Sequence, residues 1–430
     1  MTAVDGTTVR VDEVEQLAVD GLRWLVAEAG ETPDGGLSWS SSPSNPTLYS
    51  GTAGIVPVLL EAWRHFGDDS YADLALRAGR SVAAAVDDHE DDSLYFGRAG
   101  MALALRALHD ELGDTACRTA SDRALALVRA HFDGERWGEL FELMGGNGGI
   151  GLAALACGDP EFAVLAVEPY LRAAEPTPTG VTWPHRPGTD ARMHHMSHGT
   201  LGIAYSLARI GHATGRADLV GTALAGVGDV VARDEDGPDG FLVRHSTPQF
   251  RPDVIDPISY GWCHGPTGDA QLFRLLRDTQ GDPSWSALAD RCWHTVTHSG
   301  LPRRRHPGFW DNNGRCCGTA GVLALACDRL AEGRDAHDFA TLLVTDLTTR
   351  ATHDSTGARW SNTEHRATPS DLAPRPDWAQ GNAGIVRELL RFVRVSRGGE
   401  TGYAFSWPDQ PPVSAQATEP IRRAGTAAPS

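Results

Sequence analysis

The chain has 430 residues, and its 38 Lys and Arg residues against 56 Asp and Glu give a formal net charge of −18 at pH 7. This acidic balance disfavours a nucleic-acid-binding protein, because such proteins usually present a basic face. The first residues show neither the basic nor the apolar region of a signal peptide, and no apolar run approaches the roughly 20 residues of a membrane span. We therefore expect a cytoplasmic protein with no membrane span and no nucleic-acid partner.

Seven pairs of helices are predicted along the chain. The first helix of each pair has apolar residues at i, i+3, i+4 and i+7, and Ala, Leu and Arg dominate its composition. These runs cover residues 11–30, 71–86, 117–132, 161–174, 217–234, 285–298 and 337–351. Alternating period-2 patterns are scarce, so we expect an all-α chain of fourteen helices with few strands.

A Gly-x-x-Gly motif opens the second helix of each pair and recurs every 46 to 66 residues. The first glycines of the motifs are Gly51, Gly97, Gly146, Gly199, Gly265, Gly318 and Gly381. Repeats of this length predict stacked supersecondary units. Glycine permits close approach of backbones, so all seven motifs should face one end of the assembly. The spacing is compatible with an open solenoid and with a closed ring.

One domain is predicted over residues 1–407, and the Pro-rich tail 408–430 reads as disordered. Three long connectors, at 175–196, 233–257 and 300–315, are rich in Pro, Gly, Asp and aromatic residues. Loops of this length are often functional. They precede repeats four, five and six, which are the repeats that carry His and Cys beside their glycines.

The chain has seven cysteines, an odd number without the spacing of a disulfide framework. Four of them lie in apolar segments that are predicted to be helical, and we expect their side chains to be buried: Cys117, Cys157, Cys292 and Cys327.

The remaining three cysteines share one position, just before the glycine pair. Repeat five has Cys263 and His264 there, and repeat six has Cys316 and Cys317. Thiolate and imidazole are ligands that zinc prefers, and three protein ligands with one open position is the catalytic form. Cys263, Cys316 and Cys317 would give a three-thiolate set. The open roles for His264 are a ligand, a capping residue or a hydrogen-bond donor to a ligand, and we favour a non-ligand role because Cys317 already supplies the third thiolate. The same position holds His198 in repeat four, but Ser50, Phe96 and Gln380 in repeats one, two and seven.

The motifs "WCHGPTG", "CCGTAG" and "HGTLGIA", within seven Gly-x-x-Gly repeats, resemble those of the LanC-like lanthionine synthetases over about residues 15–405. The resemblance implies an α/α toroid, in which seven inner helices are ringed by seven outer ones. It also implies one zinc ion. Cys263 matches the first zinc cysteine, and Cys317 stands where histidine is usual, so the variant "CCG" motif implies an all-cysteine site.

The resemblance further implies catalytic residues. His198 matches the family's active-site histidine, and Glu142 stands where an aspartate is usual. Ser259 and His264 replace an arginine and a tyrosine that are common in the family. The segment Glu364-His365-Arg366 also resembles a family run, but no role is assigned to it.

The activity implied is that of a stand-alone peptide cyclase. It would add cysteine thiols of a dehydrated precursor peptide to dehydroalanine or dehydrobutyrine and form lanthionine or methyllanthionine. A separate dehydratase or kinase/lyase would supply that peptide. His198 or His264 would be the proton donor, with Glu142 orienting one of them, and a three-thiolate site should favour a more reactive substrate sulfur.

Three rival functions are considered. The first keeps the fold and zinc but adds a small thiol, such as glutathione, to dehydrated residues. The second is another α/α toroid, either a glycoside hydrolase or a prenyl or terpene enzyme. The glycine motifs share no pattern of acidic residues, and the acidic run at 87–92 is more typical of a solvated connector. The third is a non-catalytic peptide-binding toroid, which the intact Cys and His positions argue against.

Overall fold

The computed structural model describes residues 9–39, 45–303, 312–363, 371–405 and 407–411. In chain order its α-helices are α1 (Val11–Ala27), α2 (Val56–Phe66), α3 (Asp69–Ala84), α4 (Arg98–Leu112), α5 (Thr115–Ala130), α6 (Asn147–Ala156), α7 (Pro160–Val167), α8 (Pro169–Ala173), α9 (Thr200–Thr214), α10 (Ala217–Val231), α11 (Pro266–Gln280), α12 (Pro283–His298), α13 (Thr319–Ala331), α14 (His337–Arg350) and α15 (Asn382–Ser396). A 3₁₀ turn, Thr52–Gly54, precedes α2. The all-α prediction is confirmed for the described residues.

Strands are few and short. They form five two-stranded antiparallel sheets in the described part of the chain: β1 (Gly30–Glu31) with β2 (Leu37–Ser38), β3 (Glu175–Thr177) with β4 (Gly180–Thr182), β5 (Arg192–Met193) with β6 (Ser246–Thr247), β7 (Thr352–Asp354) with β8 (Gly357–Arg359), and β9 (Asn362–Thr363) with β10 (Asp371–Leu372). The β5–β6 pair joins two of the long connectors, so these connectors lie side by side.

The helices form two concentric layers. The inner layer consists of α2, α4, α6, α9, α11, α13 and α15, and each contacts the next inner helix. The last inner helix, α15, also contacts the first, α2, so the layer is a closed ring. The outer layer consists of α1, α3, α5, α7 with α8, α10, α12 and α14. This is the α/α toroid that the resemblance implies.

The outer helices pack on the inner helices that precede them in the chain, with one exception. Helices α3, α5 and α10 pack on α2, α4 and α9, whereas α1 packs on α15 at the other end of the chain. The first sequence repeat pairs α1 with α2, but in the structure α1 completes the last unit. Both ends of the chain therefore close the ring.

The second glycine of each motif is required by close packing. A Cβ at Gly202 would clash with the carbonyl oxygen of Met196, and one at Gly268 with that of Trp262. The same clash with the carbonyl six residues earlier recurs at the equivalent glycine of all seven motifs. The turn therefore folds tightly under the first turn of each inner helix, which explains the periodic glycines.

The C-terminal segment (residues 401–405 and 407–411) packs inside the ring. Trp407 stacks on Trp378 with ring centroids 4.3 Å apart, and its indole N–H donates to the Tyr95 hydroxyl at 2.7 Å. The Tyr95 hydroxyl in turn donates to Asp409, which is buried. The predicted boundary at residue 407 thus falls within a packed stretch, and residues 412–430 of the predicted tail lie outside the described residues.

None of the helices in the described part of the chain is both long and apolar enough to cross a membrane.

Candidate metal centre and its neighbouring histidines

Seven turns, one before each inner helix, meet at one end of the ring. In each turn the residue two positions before the first glycine can bond through its backbone to the next turn. Six such amide-to-carbonyl bonds, of 2.9 to 3.3 Å, run from Tyr49 to Tyr95, Tyr95 to Met144, Ser197 to Cys263, Cys263 to Cys316, Cys316 to Ala379 and Ala379 to Tyr49. We call these seven residues the turn ring. Its backbone is repetitive, so its chemistry depends on the side chains.

The turn ring is interrupted between Met144 and Ser197. The Met144 amide donates to the Glu142 carboxylate at 2.5 Å instead of to the next turn, and the Gly145 amide donates to the same carboxylate at 3.0 Å. Glu142 also contacts His198, with 3.2 Å between its Oε1 and the histidine Nδ1. The interruption therefore holds a buried carboxylate against a histidine whose side chain is 29% exposed.

Three cysteine side chains converge at the fifth and sixth turns. The Sγ atom of Cys317 lies 3.2 Å from that of Cys263 and 3.4 Å from that of Cys316, and all three sulfurs lie within 4.8 Å of one another. They form the only such group of potential metal ligands among the residues that the structure describes. All three are buried.

The cysteine cluster fits a zinc ion. Zinc–sulfur bonds of about 2.3 Å in a tetrahedron place sulfurs roughly 3.8 Å apart, so a small outward shift would accommodate the ion. Burial raises the pKa of the Cys263 and Cys317 thiols, whereas hydrogen bonds from both lower the pKa of Cys316. Three buried sulfurs in contact with one another are a donor set that a divalent cation would stabilise as thiolates.

Two side chains from other turns support the cysteines. Gln380 Nε2 lies 3.5 Å from the Cys317 sulfur and 3.4 Å from the Tyr49 hydroxyl. The Tyr49 side chain also hydrogen-bonds Cys316. Partners of this kind orient metal ligands. Sequence reasoning assigned no role to Gln380, since its residue type is a poor zinc ligand.

His264 follows Cys263 in the chain and lies close to His198. The His198 and His264 ring centroids are 5.4 Å apart. The Ser197 hydroxyl donates to the Cys263 carbonyl at 2.8 Å and faces His264 Nε2 at 3.3 Å, so Nε2 carries the proton that reaches the serine. The structure thus brings together all six residues singled out in the sequence.

The two histidines have opposite electrostatic environments. Burial lowers the pKa of His264 well below its usual value, and the neighbouring histidines lower it further. Burial also disfavours the charged form of His198, but the Glu142 carboxylate outweighs it and raises the pKa of His198. Environments that separate two pKa values in this way commonly distinguish a proton donor from a neutral partner.

Further histidines surround this site, and sequence reasoning did not single them out. His245 lies 4.2 Å from His264 between ring centroids, and His195 pairs with buried Asp269 at 2.8 Å. Both come from the long connectors, at 233–257 and 175–196, whose length was the available signal. The Glu364-His365-Arg366 segment lies outside the described residues.

Comparisons with known proteins agree with this architecture. A family model described as lanthionine synthetase C-like protein matches residues 42–225 and 251–344, more than half of the chain. Among solved structures, nisin cyclase superposes with a TM-score of 0.60 at 15% sequence identity, covering 89% of this chain and 93% of the cyclase. This likeness shows the shared toroid fold.

Two further similar structures score lower. A D-mannose isomerase gives a TM-score of 0.49 at 11% identity, covering 91% of this chain and 100% of the isomerase. An α-1,6-mannanase from Salegentibacter sp. gives 0.48 at 12% identity, covering 88% and 99%. A comparison with curated protein sequences finds no match. Because the family model covers most of the repeats, the chain belongs to the lanthionine synthetase C-like family.

Proposed function

We propose that the chain is a zinc-dependent peptide cyclase, which adds cysteine thiols of a dehydrated peptide to dehydroalanine or dehydrobutyrine and forms lanthionine or methyllanthionine. One observation carries the proposal: three buried sulfurs lie beside a histidine–carboxylate pair at one end of the ring. Family membership and the fold shared with nisin cyclase support it. The peptide would come from a separate dehydratase or kinase/lyase, and we expect both enzymes in the cytoplasm.

Cys263, Cys316 and Cys317 would hold the zinc ion, with one coordination position left for substrate. When bound there, zinc would supply the Lewis acidity that favours the thiolate form of a substrate cysteine. A free cysteine with a pKa of about 8.5 is only a few per cent thiolate at pH 7, so this gain is about 30-fold, or roughly 2 kcal/mol. Positioning of the thiol and the alkene can contribute more than that.

The reaction adds S–H across a carbon–carbon double bond and needs no oxidant or reductant. The thiolate sulfur forms a bond to the β-carbon, and the π electrons move through the α-carbon onto the adjacent carbonyl as an enolate. Protonation of the α-carbon then completes the thioether, and the thiol proton leaves through a neighbouring base. The protein must therefore hold one proton donor over the α-carbon.

His198 is the proton donor that we propose. Burial opposes the charged form of His198, but the Glu142 carboxylate outweighs it and raises the pKa, which favours the protonated donor. Because Glu142 accepts from Nδ1, Nε2–H is left for substrate. Glu142 is itself held by the Met144 and Gly145 amides, so it fixes the orientation of the imidazole. His264, which burial keeps neutral, is the second candidate for proton transfer and suits removal of the thiol proton.

Metal analysis and cyclisation of a synthetic dehydrated peptide together test the function. The purified protein should contain about one zinc per chain and should form thioether rings, measured by mass spectrometry after alkylation of free thiols. The Cys316→Ala variant should lose the metal and more than about 100-fold of the activity. Cys292→Ala removes a buried cysteine of α12 and should retain both. A metal-free protein with full cyclisation activity would contradict the zinc site, and a zinc protein that adds only glutathione would contradict the peptide substrate.

A further inference from the structure

A groove opens beside the Glu142–His198 pair. It consists of two adjoining cavities, of ≈ 300 and ≈ 470 Å³, and Arg136 and Arg186 line both. Arg172 lines the first cavity. The floor of that cavity is apolar, with Phe141 and Pro184 among the lining residues. Cavities of this size are sufficient for specific binding of a few side chains.

None of the three guanidinium groups of this groove forms an ion pair within 4 Å among the described residues. The nearby Asp133 carboxylate accepts instead from the Arg136 backbone amide, at 2.8 Å. Arg172 donates to the Gly134 carbonyl at 3.2 Å, and the Arg186 guanidinium lies 5.6 Å from the centre of the Phe250 ring. Elsewhere arginines are commonly ion-paired, as in Arg216 with Glu168. In a chain with a net charge of −18, three unpaired guanidinium groups that face one groove are an uncommon concentration of positive charge.

Two carboxylates also line the groove. Glu135 borders the first cavity and Glu139 the second. Neither forms an ion pair with the arginines in the described part of the chain, so they do not neutralise the guanidinium groups by contact. The guanidinium groups remain available for charge-assisted hydrogen bonds with an anionic ligand.

The groove is fixed next to the reacting groups by the backbone. Phe141 immediately precedes Glu142, and its amide donates to the His185 carbonyl at 2.7 Å. His185 lies between Pro184 and Arg186, so the groove wall and the Glu142 turn share this bond. The Cα atoms of Phe141 and Glu142 are consecutive, and such atoms are about 3.8 Å apart. A peptide bound in the groove would therefore be only a few residues from the Glu142–His198 pair.

We propose that this groove, lined by Arg136, Arg172 and Arg186, binds an acidic segment of the peptide substrate beside the reacting residue. The inference rests on the proposed function. Guanidinium groups bind carboxylates through paired hydrogen bonds, and the apolar floor accommodates an aliphatic or aromatic side chain next to the acid. Preferred substrates therefore carry Asp or Glu, alternating with apolar residues, within a few positions of the Cys or dehydro residue.

A binding measurement tests this without cyclisation. The probe is a fluorescein-labelled, acetylated octapeptide of alternating Glu and Leu, and the comparison peptide has Gln for every Glu. By fluorescence anisotropy the Glu peptide should bind the full-length, metal-loaded protein at least tenfold more tightly. The triple variant R136Q/R172Q/R186Q should lose at least tenfold of that affinity. Equal binding of the two peptides, or an unchanged triple variant, would overturn the inference.

Controls separate charge at the groove from net charge and from folding. Arg118→Gln on α5 removes one positive charge outside the groove and should leave peptide affinity unchanged. It is the matched control for a single Arg→Gln change at each of the three groove arginines. Circular dichroism and zinc content should match the wild type in all variants. Glutathione and inorganic phosphate serve as competitors. Unlabelled Glu peptide is the reference competitor, compared at the same concentration of negative charge. If glutathione or phosphate displaces the labelled peptide as well as the reference does, the groove binds small anions and the peptide-segment inference fails.

The two hypotheses fail separately. A protein that binds the Glu peptide through the arginines but forms no thioether keeps the groove and loses the cyclase proposal. A protein that cyclises Glu and Gln versions of one dehydrated peptide at equal kcat/KM, in wild type and triple variant alike, keeps the cyclase proposal and loses the groove.

Discussion

The fifth and sixth turns of the ring and the first and second turns share one backbone arrangement but differ in their side chains. Cys263 and Cys316 occupy the turn-ring position that Tyr49 and Tyr95 occupy on the other side, and all four make the same backbone bonds. On one side the position carries the thiols of the proposed zinc site, and on the other it carries aromatic packing. The difference teaches that the repeated turn supplies geometry, whereas single residues decide between chemistry and support.

The interrupted position between Met144 and Ser197 sharpens this comparison. There the repeated bond is replaced by bonds to Glu142, and His198 is brought against that carboxylate. The Glu142–His198 pair thus lies at the one turn-to-turn backbone bond that is missing among the seven turns of the described chain. The cysteines lie in the fifth and sixth turns, next to the fourth turn, which carries His198. Departures from a repeated backbone rule are expected at functional sites.

The largest expected effect comes from His198→Asn. Loss of the proposed proton donor should lower kcat for cyclisation by about 10²–10⁴-fold, while zinc content stays the same. His212→Asn, on the exposed face of helix α9 that follows the His198 turn, is the control and should cyclise at the wild-type rate. A His198→Asn rate within threefold of wild type would remove His198 from the reaction and assign the interrupted turn a structural role.

Asp409→Asn tests the aromatic side of the turn ring, where Asp409 accepts a hydrogen bond from the Tyr95 hydroxyl. Burial, as the largest cause, raises the pKa of Asp409 to about 6 from an ordinary value of 3.8. Between those values the folded protein binds a proton that the unfolded chain does not, so stability falls as pH rises through that window. Asparagine keeps an acceptor for Tyr95 and removes the buried charge, so it should stabilise the fold above pH 6 by up to about 3 kcal/mol.

Denaturant unfolding at two pH values measures this effect. The gain from Asp409→Asn should be present at pH 7.5 and small at pH 4.5. Asp253→Asn, on the surface, is the matched control and should leave stability unchanged at both values. A gain of equal size at both pH values would show that the buried charge is not its source.

Glu142→Gln tests whether the carboxylate acts through His198. Without the carboxylate the pKa of His198 should fall, and because the donor must be protonated, the decline of kcat at high pH should move to lower pH. A shift of one pKa unit would lower kcat about tenfold at a pH above both values. The pH profile of kcat is the measurement, with zinc content as control. An unmoved profile would contradict the coupling.

The smallest expected effect comes from Cys317→His. Three protein thiolates make a bound metal a weaker Lewis acid and leave a substrate sulfur more electron-rich than two thiolates and an imidazole do, so the variant should keep its zinc and cyclise a few-fold more slowly. Single-turnover kinetics with a pre-dehydrated peptide isolate the chemical step. Equal or faster cyclisation would contradict the idea that the third thiolate raises reactivity.

Much of the ring was predictable because glycine and apolar residues repeat with the structure. The seven Gly-x-x-Gly motifs predicted the inner helices, and the shared position of Cys263 and Cys316 predicted that distant cysteines meet. The pairing of α1 with α15 was not predictable, because each repeat has the same pattern and the pattern does not say which end helix completes which unit.

Other features were hidden for physical reasons. The tail predicted from residue 408 has a Pro-rich composition, yet Asp409 is buried and accepts from the Tyr95 hydroxyl, next to Trp407, which stacks on Trp378. The arginine groove could not be predicted, since Arg136, Arg172 and Arg186 come from three different segments. Periodicity predicts which helix face is buried but does not place loop side chains against one another.

The packing of α1 on α15 has a consequence for synthesis on the ribosome. In an open solenoid each repeat needs only its neighbours, and the first repeats can become stable while the rest is still being made. Here α1 is made without its packing partner, because α15 begins only at Asn382, far along the chain. Contacts of such sequence separation slow folding, because a very long loop must close before they form. The nascent chain therefore exposes the apolar face of α1 until α15 has been made. Removing the residues after Trp378 would deprive α1 of α15 and the cysteine cluster of Gln380 together.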